Sequence, residues 1–320
     1  MKKMFAALMV VIDLIACNRT TQNAVKYSET AVLVPTVFAE GVISTPTASE
    51  FEISFSLDGR TAYFTRRKPD EKQKIYETTF QNGVWLTPKI VDFSTDRDEA
   101  VFVSPDGKTL FFGSERPIPN KPNEGNFDMN IWKLDKTDKG WVNPVPLSEP
   151  INQVQVSGEE WPSSNANFIF SLDGRKYFYS TMARGEKAID IYQTDRINDT
   201  LFSKPSKIKG LFEDEKFSKY MPVISPDGKY MVFNSFEAPG GVGGEDIYVS
   251  KKTLAGWSRA VSIGKLVNTK AEEGSPRFSR DGEYFFFGRE FRADPAKDGD
   301  YNIYYIETNA LKLGNLFPNE

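Results

Sequence analysis

The sequence predicts an all-β protein, a β-propeller of four-stranded blades, on three observations. First, Ser-x-Asp-Gly occurs five times, at Ser56, Ser104, Ser171, Ser225 and Ser279, each time leading into an aromatic or aliphatic run such as Leu110-Phe111-Phe112 or Phe285-Phe286-Phe287. Second, isoleucine followed by an aromatic recurs as Ile75-Tyr76, Ile131-Trp132, Ile191-Tyr192, Ile247-Tyr248 and Ile303-Tyr304, in steps of 56, 60, 56 and 56 residues. Third, an aromatic follows nine or ten residues later, at Trp85, Trp141, Phe202 and Trp257. Repeats of this length with period-2 rather than 3.6-residue apolar spacing describe blades around an axis, not a helical solenoid.

The elements follow in chain order. Met1-Lys2-Lys3, a mostly apolar run from Met4 to Ile12 interrupted by Asp13, and Leu14-Ile15-Ala16-Cys17 read as a secretory signal over residues 1–16. Leu-Ile-Ala-Cys looks like the lipobox of bacterial lipoproteins, which implies that Cys17, the only cysteine, is acylated and anchors the mature chain to a membrane. By the same analogy Asn18 favours the outer membrane, and the absence of an acidic cluster in Arg19-Thr20-Thr21-Gln22 favours a periplasm-facing position. Residues 17–31 are expected to form a polar, lipidated tether, and residues 32–320 one propeller domain.

Within each unit, strand A runs into Ser-x-Asp-Gly, where Asp and Gly supply the local hydrogen bonding and positive φ of a tight hairpin. The turn residues are Asp58-Gly59, Asp106-Gly107, Asp173-Gly174, Asp227-Gly228 and Asp281-Gly282. Strand B is the aromatic run, strand C contains Ile-aromatic, and strand D starts at the third marker. The last copy has no Trp strand after it, and counting back from Ser56 places the missing strand near residues 34–37. That N-terminal strand is expected to close the ring and remove its exposed edges. Leu311–Phe317 is the alternative closer. Five blades are expected; six would need a blade hidden after Gly107, where Pro-Asn-Lys-Pro-Asn-Glu (119–124) reads as a loop insertion.

Composition narrows the chemistry. The 320-residue chain has no histidine and one cysteine, which excludes Ser-His-Asp and Cys-His catalysis, histidine-ligated zinc and an internal disulfide. A net charge of −4 argues against nucleic acid as a partner. Gly240-Gly241-Val242-Gly243-Gly244 lacks the Lys-Ser/Thr of a phosphate loop and reads as a flexible blade-edge loop.

Ser-Pro-Asp-Gly-Lys with its aromatic run, together with Gly244-Glu245-Asp246-Ile247-Tyr248, Gly256-Trp257 and Val267-Asn268-Thr269, resembles the TolB-like, WD-repeat-like propeller family, especially its envelope lipoproteins, over residues 50–306. The resemblance implies a fold and an address more than an activity.

Propellers usually bind ligands at the channel mouth. Counting back six residues from each turn serine gives Glu50, Asp98, Asn165, Lys219 and Glu273, a ring that would suit a cationic or polyhydroxylated ligand or Ca²⁺. The alternative is that these residues only cap strands at a solvated rim. Trp161 falls outside the repeat register and is the tryptophan expected to contact a ligand; Trp85, Trp141 and Trp257 are expected to pack between blades. The leading functional expectation is a non-enzymatic, envelope-anchored binding or scaffold module without a cofactor, for a protein, peptide or glycan. The alternative is a glycan hydrolase using two carboxylates from Glu50, Asp98 and Glu273. A peptidase-associated propeller is not supported, because no Gly-x-Ser-x-Gly elbow is present.

Overall fold

The computed structural model describes residues 25–119, 129–152 and 166–318, apart from 172, 184, 199–200, 215 and 292–299. Cys17, Trp161 and Asn165 lie outside the described residues, as do the signal segment and all of 119–124 but Pro119. The fold is a five-bladed β-propeller, each blade an antiparallel sheet in the order A–B–C–D. Strands A are Ser49–Phe55, Asp98–Val103, Ala166–Phe170, Tyr220–Ile224 and Glu273–Phe278, and they contact one another around the axis. Strands B (Thr61–Arg67, Thr109–Ser114, Lys176–Thr181, Tyr230–Phe236, Tyr284–Phe291) carry the aromatic runs. Strands C (Lys74–Gln81, Asn130–Thr137, Asp190–Asp195, Glu245–Thr253, Asp300–Glu307) carry the Ile-aromatic marker.

The fifth blade takes its outer strand from the other end of the chain. Thr36–Val37 pairs with Tyr305 and Tyr304 of the last strand C, and the Phe38 N–H donates to Ile303 O at 2.8 Å. Leu311–Phe317, the alternative closer, instead follows a short 3₁₀ turn at Thr308–Leu311 and holds another at Leu313–Leu316. Residues 25–31, read from sequence as tether, include Tyr27, whose ring packs among Phe38, Phe55, Trp85 and Tyr284 and whose hydroxyl donates to Gly59 O.

Each Ser-x-Asp-Gly makes the same turn. In the copy at Ser225 the serine hydroxyl donates to Asp227 Oδ1 at 2.6 Å, that oxygen accepts the Lys229 N–H, the serine Oγ accepts the Tyr230 N–H, and the Gly228 N–H closes back on Ser225 O. The five glycines have φ between 68° and 78°, a region that excludes most side chains. The opposite face carries the B–C and D–A loops. There Asn152 and Asn268 clasp both backbone groups of Ile131 and Ile247, and Ser44 does so for Ile303. Three of the five marker isoleucines are therefore fixed in this way by side chains of the loop leading into the next blade.

Aromatic and aliphatic side chains of facing sheets fill the spaces between blades. Phe38, Phe55 and Phe286 join blades 5 and 1; Tyr63, Val101 and Phe112 join blades 1 and 2; Phe111, Phe168 and Tyr177 join blades 2 and 3. The repeat tryptophans lie in these seams: Trp141 Nε1 donates to Tyr63 of the preceding blade at 3.0 Å, and Trp257 meets Phe178 edge-on. The glycine run 240–244 is tightly fitted. A Cβ on Gly243 would fall 2.1 Å from Ala271 O of the next blade's entry loop, and the Val242 and Gly243 N–H groups both donate to Asp246 Oδ2. At Gly243 glycine stands because backbones meet, and at Gly241 because the Asp246 and Tyr248 side chains close in, which differs from the flexible edge loop the composition suggests.

Candidate functional site

Of the residues six before each turn serine, the four described, Glu50, Asp98, Lys219 and Glu273, stand at or beside the start of the inner strands, and their side chains are occupied within the fold. Glu50, Asp98 and Glu273 are all 0% exposed. Each carboxylate caps its entry loop and pairs with an arginine at or just beyond the end of strand B of its own blade. Glu50 accepts the Thr45 N–H and hydroxyl at 3.0 and 2.8 Å and pairs with Arg66 Nε at 2.8 Å. Glu273 repeats this with Thr269 and Arg289, and Asp98 uses Ser94, the Asp96 N–H and Arg116.

The arginines extend these locks. Arg66 donates to Val42 O and Ile43 O and lies over Phe64 and Tyr76; Arg116 and Arg289 lie likewise over Phe112 with Trp132 and Phe287 with Tyr304. Lys219 inverts the charges: its Nζ reaches Asp190 Oδ1 of the neighbouring blade at 2.7 Å, and Asp190 also pairs with Lys207. Burial pushes the Glu50 carboxyl up to about 7 against the downward pull of Thr45 and Arg66, and the Glu273 carboxyl is raised for the same reason. A sequence signal for the locks exists, since Arg66 and Arg289 both stand ten residues after their turn serine.

The pleat turns the following residue to the other face of the sheet. These positions hold Phe51, Glu99, Tyr220 and Gly274. Just beyond them each strand A shifts register, with Glu52, Ala100, Met221 and Ser275 at φ between 50° and 57°. The bulge bends the strand beside the axis, a feature with no glycine to signal it in sequence.

Where blades 4 and 5 meet on the loop face, a polar and aromatic cluster forms from residues the repeat count did not select. Tyr220 and Asn234 are paired across strands A and B of blade 4, and Phe236 is paired with Glu245 across B and C. Asn234 Nδ2 donates to Glu245 Oε1, Tyr220 meets Phe236 edge-on, and Phe236 is 44% exposed. Blade 5 contributes Glu272, whose Oε2 accepts the Tyr301 hydroxyl at 2.5 Å, and Gly274, where a Cβ would fall 2.9 Å from Glu245 Oε2. Gly274 thus leaves room for the Glu245 carboxyl.

Burial first, then the neighbouring Glu272, pushes the Glu245 carboxyl up to about 8, against the pull of the Asn234 amide. Burial together with the bond to Glu272 raises the Tyr301 phenol. Chemically the cluster offers a proton-bearing carboxyl, a second carboxylate, a phenol, an amide and an accessible aromatic face. Among the described residues no group of three or more Asp, Glu or Cys is arranged to hold a metal ion. The signal that could have located this site is Glu245 and Glu272, acidic residues flanking the marker Asp246 and the lock Glu273.

No protein-family model matches the chain, and no curated protein sequence matches it. Solved structures do. TolB from Acinetobacter baumannii is 13% identical over 81% of this chain and 54% of its own, with a TM-score of 0.48. The chain therefore spans about half the length of that TolB. A TolB homologue from Agrobacterium tumefaciens is 20% identical over 83% of this chain and 79% of its own, with a TM-score of 0.49. An α-L-arabinofuranosidase from Podospora anserina is 12% identical over 87% of this chain and 98% of its own, with a TM-score of 0.51. At these identities the likeness shows the propeller fold alone.

Proposed function

We propose that the protein is an envelope-anchored, non-enzymatic binding module that grips a cationic or polyhydroxylated ligand, on a protein, peptide or glycan, at the loop face between blades 4 and 5. The observation that carries this reading is the cluster of Glu245, Glu272, Tyr301 and Asn234 beside the exposed ring of Phe236. Acid and amide groups accept and donate the hydrogen bonds of hydroxyls or ammonium groups, and an exposed ring offers a stacking face. The basic start, apolar run and lipobox-like Leu14–Cys17 support the anchor, and with it a periplasm-facing address.

Glycan and peptide arrays probed with the purified chain test the binding reading. Glu272→Gln and Phe236→Ala are expected to weaken the strongest signal about tenfold each, corresponding to ~1.4 kcal/mol. Signals unchanged by both substitutions would overturn it. The anchor is tested separately: Cys17→Ser should move the protein from the membrane to the soluble fraction.

One observation favours a second reading, glycan hydrolysis. A carboxyl held up to about 8 is protonated at neutral pH and so suits a general acid, with Glu272 as the second carboxylate. Turnover of any glycan that Glu245→Gln abolishes would establish this reading in place of the first.

A further inference from the structure

The hairpin end of the channel, opposite the cluster above, is a cavity of about 470 Å³ to which all five inner strands contribute. Its wall is mainly apolar, with Ile53, Phe102, Ile169, Val223 and Phe278 supplied by successive blades, and the turn carboxylates Asp58 and Asp281 also line it. The volume falls within the range of small-molecule sites. Arg277, from strand A of blade 5, also lines it and is 2% exposed. Its Nη1 donates to Pro276 O at 2.9 Å, while Nε and Nη2 have no acceptor among the described residues.

The carboxylate whose charge acts on Arg277, Glu52, does not complete the set. Glu52 of blade 1 places Oε2 on the Thr65 hydroxyl and the Ala100 N–H, at 2.9 and 2.5 Å, and its Oε1 has no donor among the described residues. Burial and then Glu99 raise the Glu52 carboxyl to about 7, so its charge is only part of a counterion. A buried guanidinium with two unpartnered nitrogens is costly unless something accepts their N–H groups. The unused pair, Nε and Nη2, is one edge of the guanidinium fork, the arrangement that takes a carboxylate bidentately. At the rim Arg280 spans the opening, donating to Phe55 O, Val103 O and Ser104 O, and adds a second cation on the path inward.

We propose that the hairpin end of the channel is a binding site for a small monocarboxylate with an apolar body, its carboxylate bridging Arg277 Nε and Nη2 and its tail lying among Ile53, Phe102, Ile169, Val223 and Phe278. The site is separate from the loop-face cluster and stands whether that cluster binds or hydrolyses its ligand.

Titration calorimetry of the full chain with decanoate below its micelle concentration tests this, with decanol and decyltrimethylammonium as comparators. Decanoate is expected to saturate one site and to bind at least about tenfold more tightly than either comparator, the worth of one charge-assisted bidentate contact. Arg277→Met should remove that preference while leaving decanol within about twofold, and Val223→Trp should abolish both by filling the cavity. If Arg277→Met does not fold, Glu52→Gln replaces it; removing the competing carboxylate should tighten decanoate binding and leave decanol unchanged. Absence of decanoate binding, equal binding of all three amphiphiles, or indifference to both substitutions would overturn the proposal.

Discussion

Arg66, Arg116 and Arg289 each neutralise a buried carboxylate, bind loop carbonyls and cover two aromatic rings with a single guanidinium. Removing one such arginine strands a carboxylate that has no exposure, the costly way to break a buried pair. Arg289→Met is therefore expected to lower unfolding free energy by about 3 kcal/mol in urea denaturation. Glu273→Gln, which leaves an amide able to meet Thr269, should cost less. Counting from the turn found the start of every inner strand, because hairpin geometry is local. Which face each side chain takes depends on partners on other strands, and so Glu50 and Glu273 looked like mouth residues while Glu245 and Glu272 went unselected.

The A–B hairpin is the element most fully legible in the sequence, because its four residues satisfy one another. Their surroundings still differ between blades. A Cβ on Gly228 meets nothing within 4 Å, whereas one on Gly107 would sit 2.5 Å from Leu57 Cδ1 of the preceding blade's turn. Both glycines have positive φ, so Gly228→Ala should cost about 1 kcal/mol from backbone strain alone. Gly107→Ala should cost more, because Leu57 must also move; paired thermal melts measure the difference. At the ring closure Phe38 is 1% exposed and touches rings from blades 5 and 1. Phe38→Ala is expected to destabilise by about 3–5 kcal/mol. The closing strand was readable from the missing outer strand, but the packing of Tyr27 upstream of it was not, since a single aromatic in a polar stretch has no periodicity.

Over the whole molecule the carboxyls set a stability optimum on the acid side of neutral. Burial raises Glu50 and Glu52 to about 7 and Glu245 to about 8. Such groups take up protons on folding, so their contribution is complete below the ordinary carboxyl range and is lost as pH rises through the folded value. Stability should therefore increase as pH falls from about 8 towards 5. Four turn aspartates act in the opposite sense. Against a burial penalty, serine hydroxyls and backbone N–H groups hold Asp58, Asp106 and Asp227 below their usual range, and hydrogen bonds from Ser171 and Arg175 do so for Asp173. Their contribution disappears as pH falls below about 4, and melting temperature against pH should show both limbs. Blade number and ring closure were legible because repetition averages out local irregularities. The channel contents were not, because Glu52 and Arg277 belong to different repeats and meet only when the ring is complete.

Pairing of Thr36 and Val37 with Tyr305 and Tyr304 has a consequence for the order of assembly. The outer strand of the last blade is made first and must wait for its partner, while the intervening blades form from neighbouring segments. Closing so long a loop costs entropy that grows only logarithmically, so the delay is a matter of time more than of stability. Until docking, the strand Asp300–Glu307 presents an unpaired edge. A second molecule's residues 36–37 fit that edge as well as the chain's own, so crowded refolding should yield exchanged dimers that dilute refolding does not.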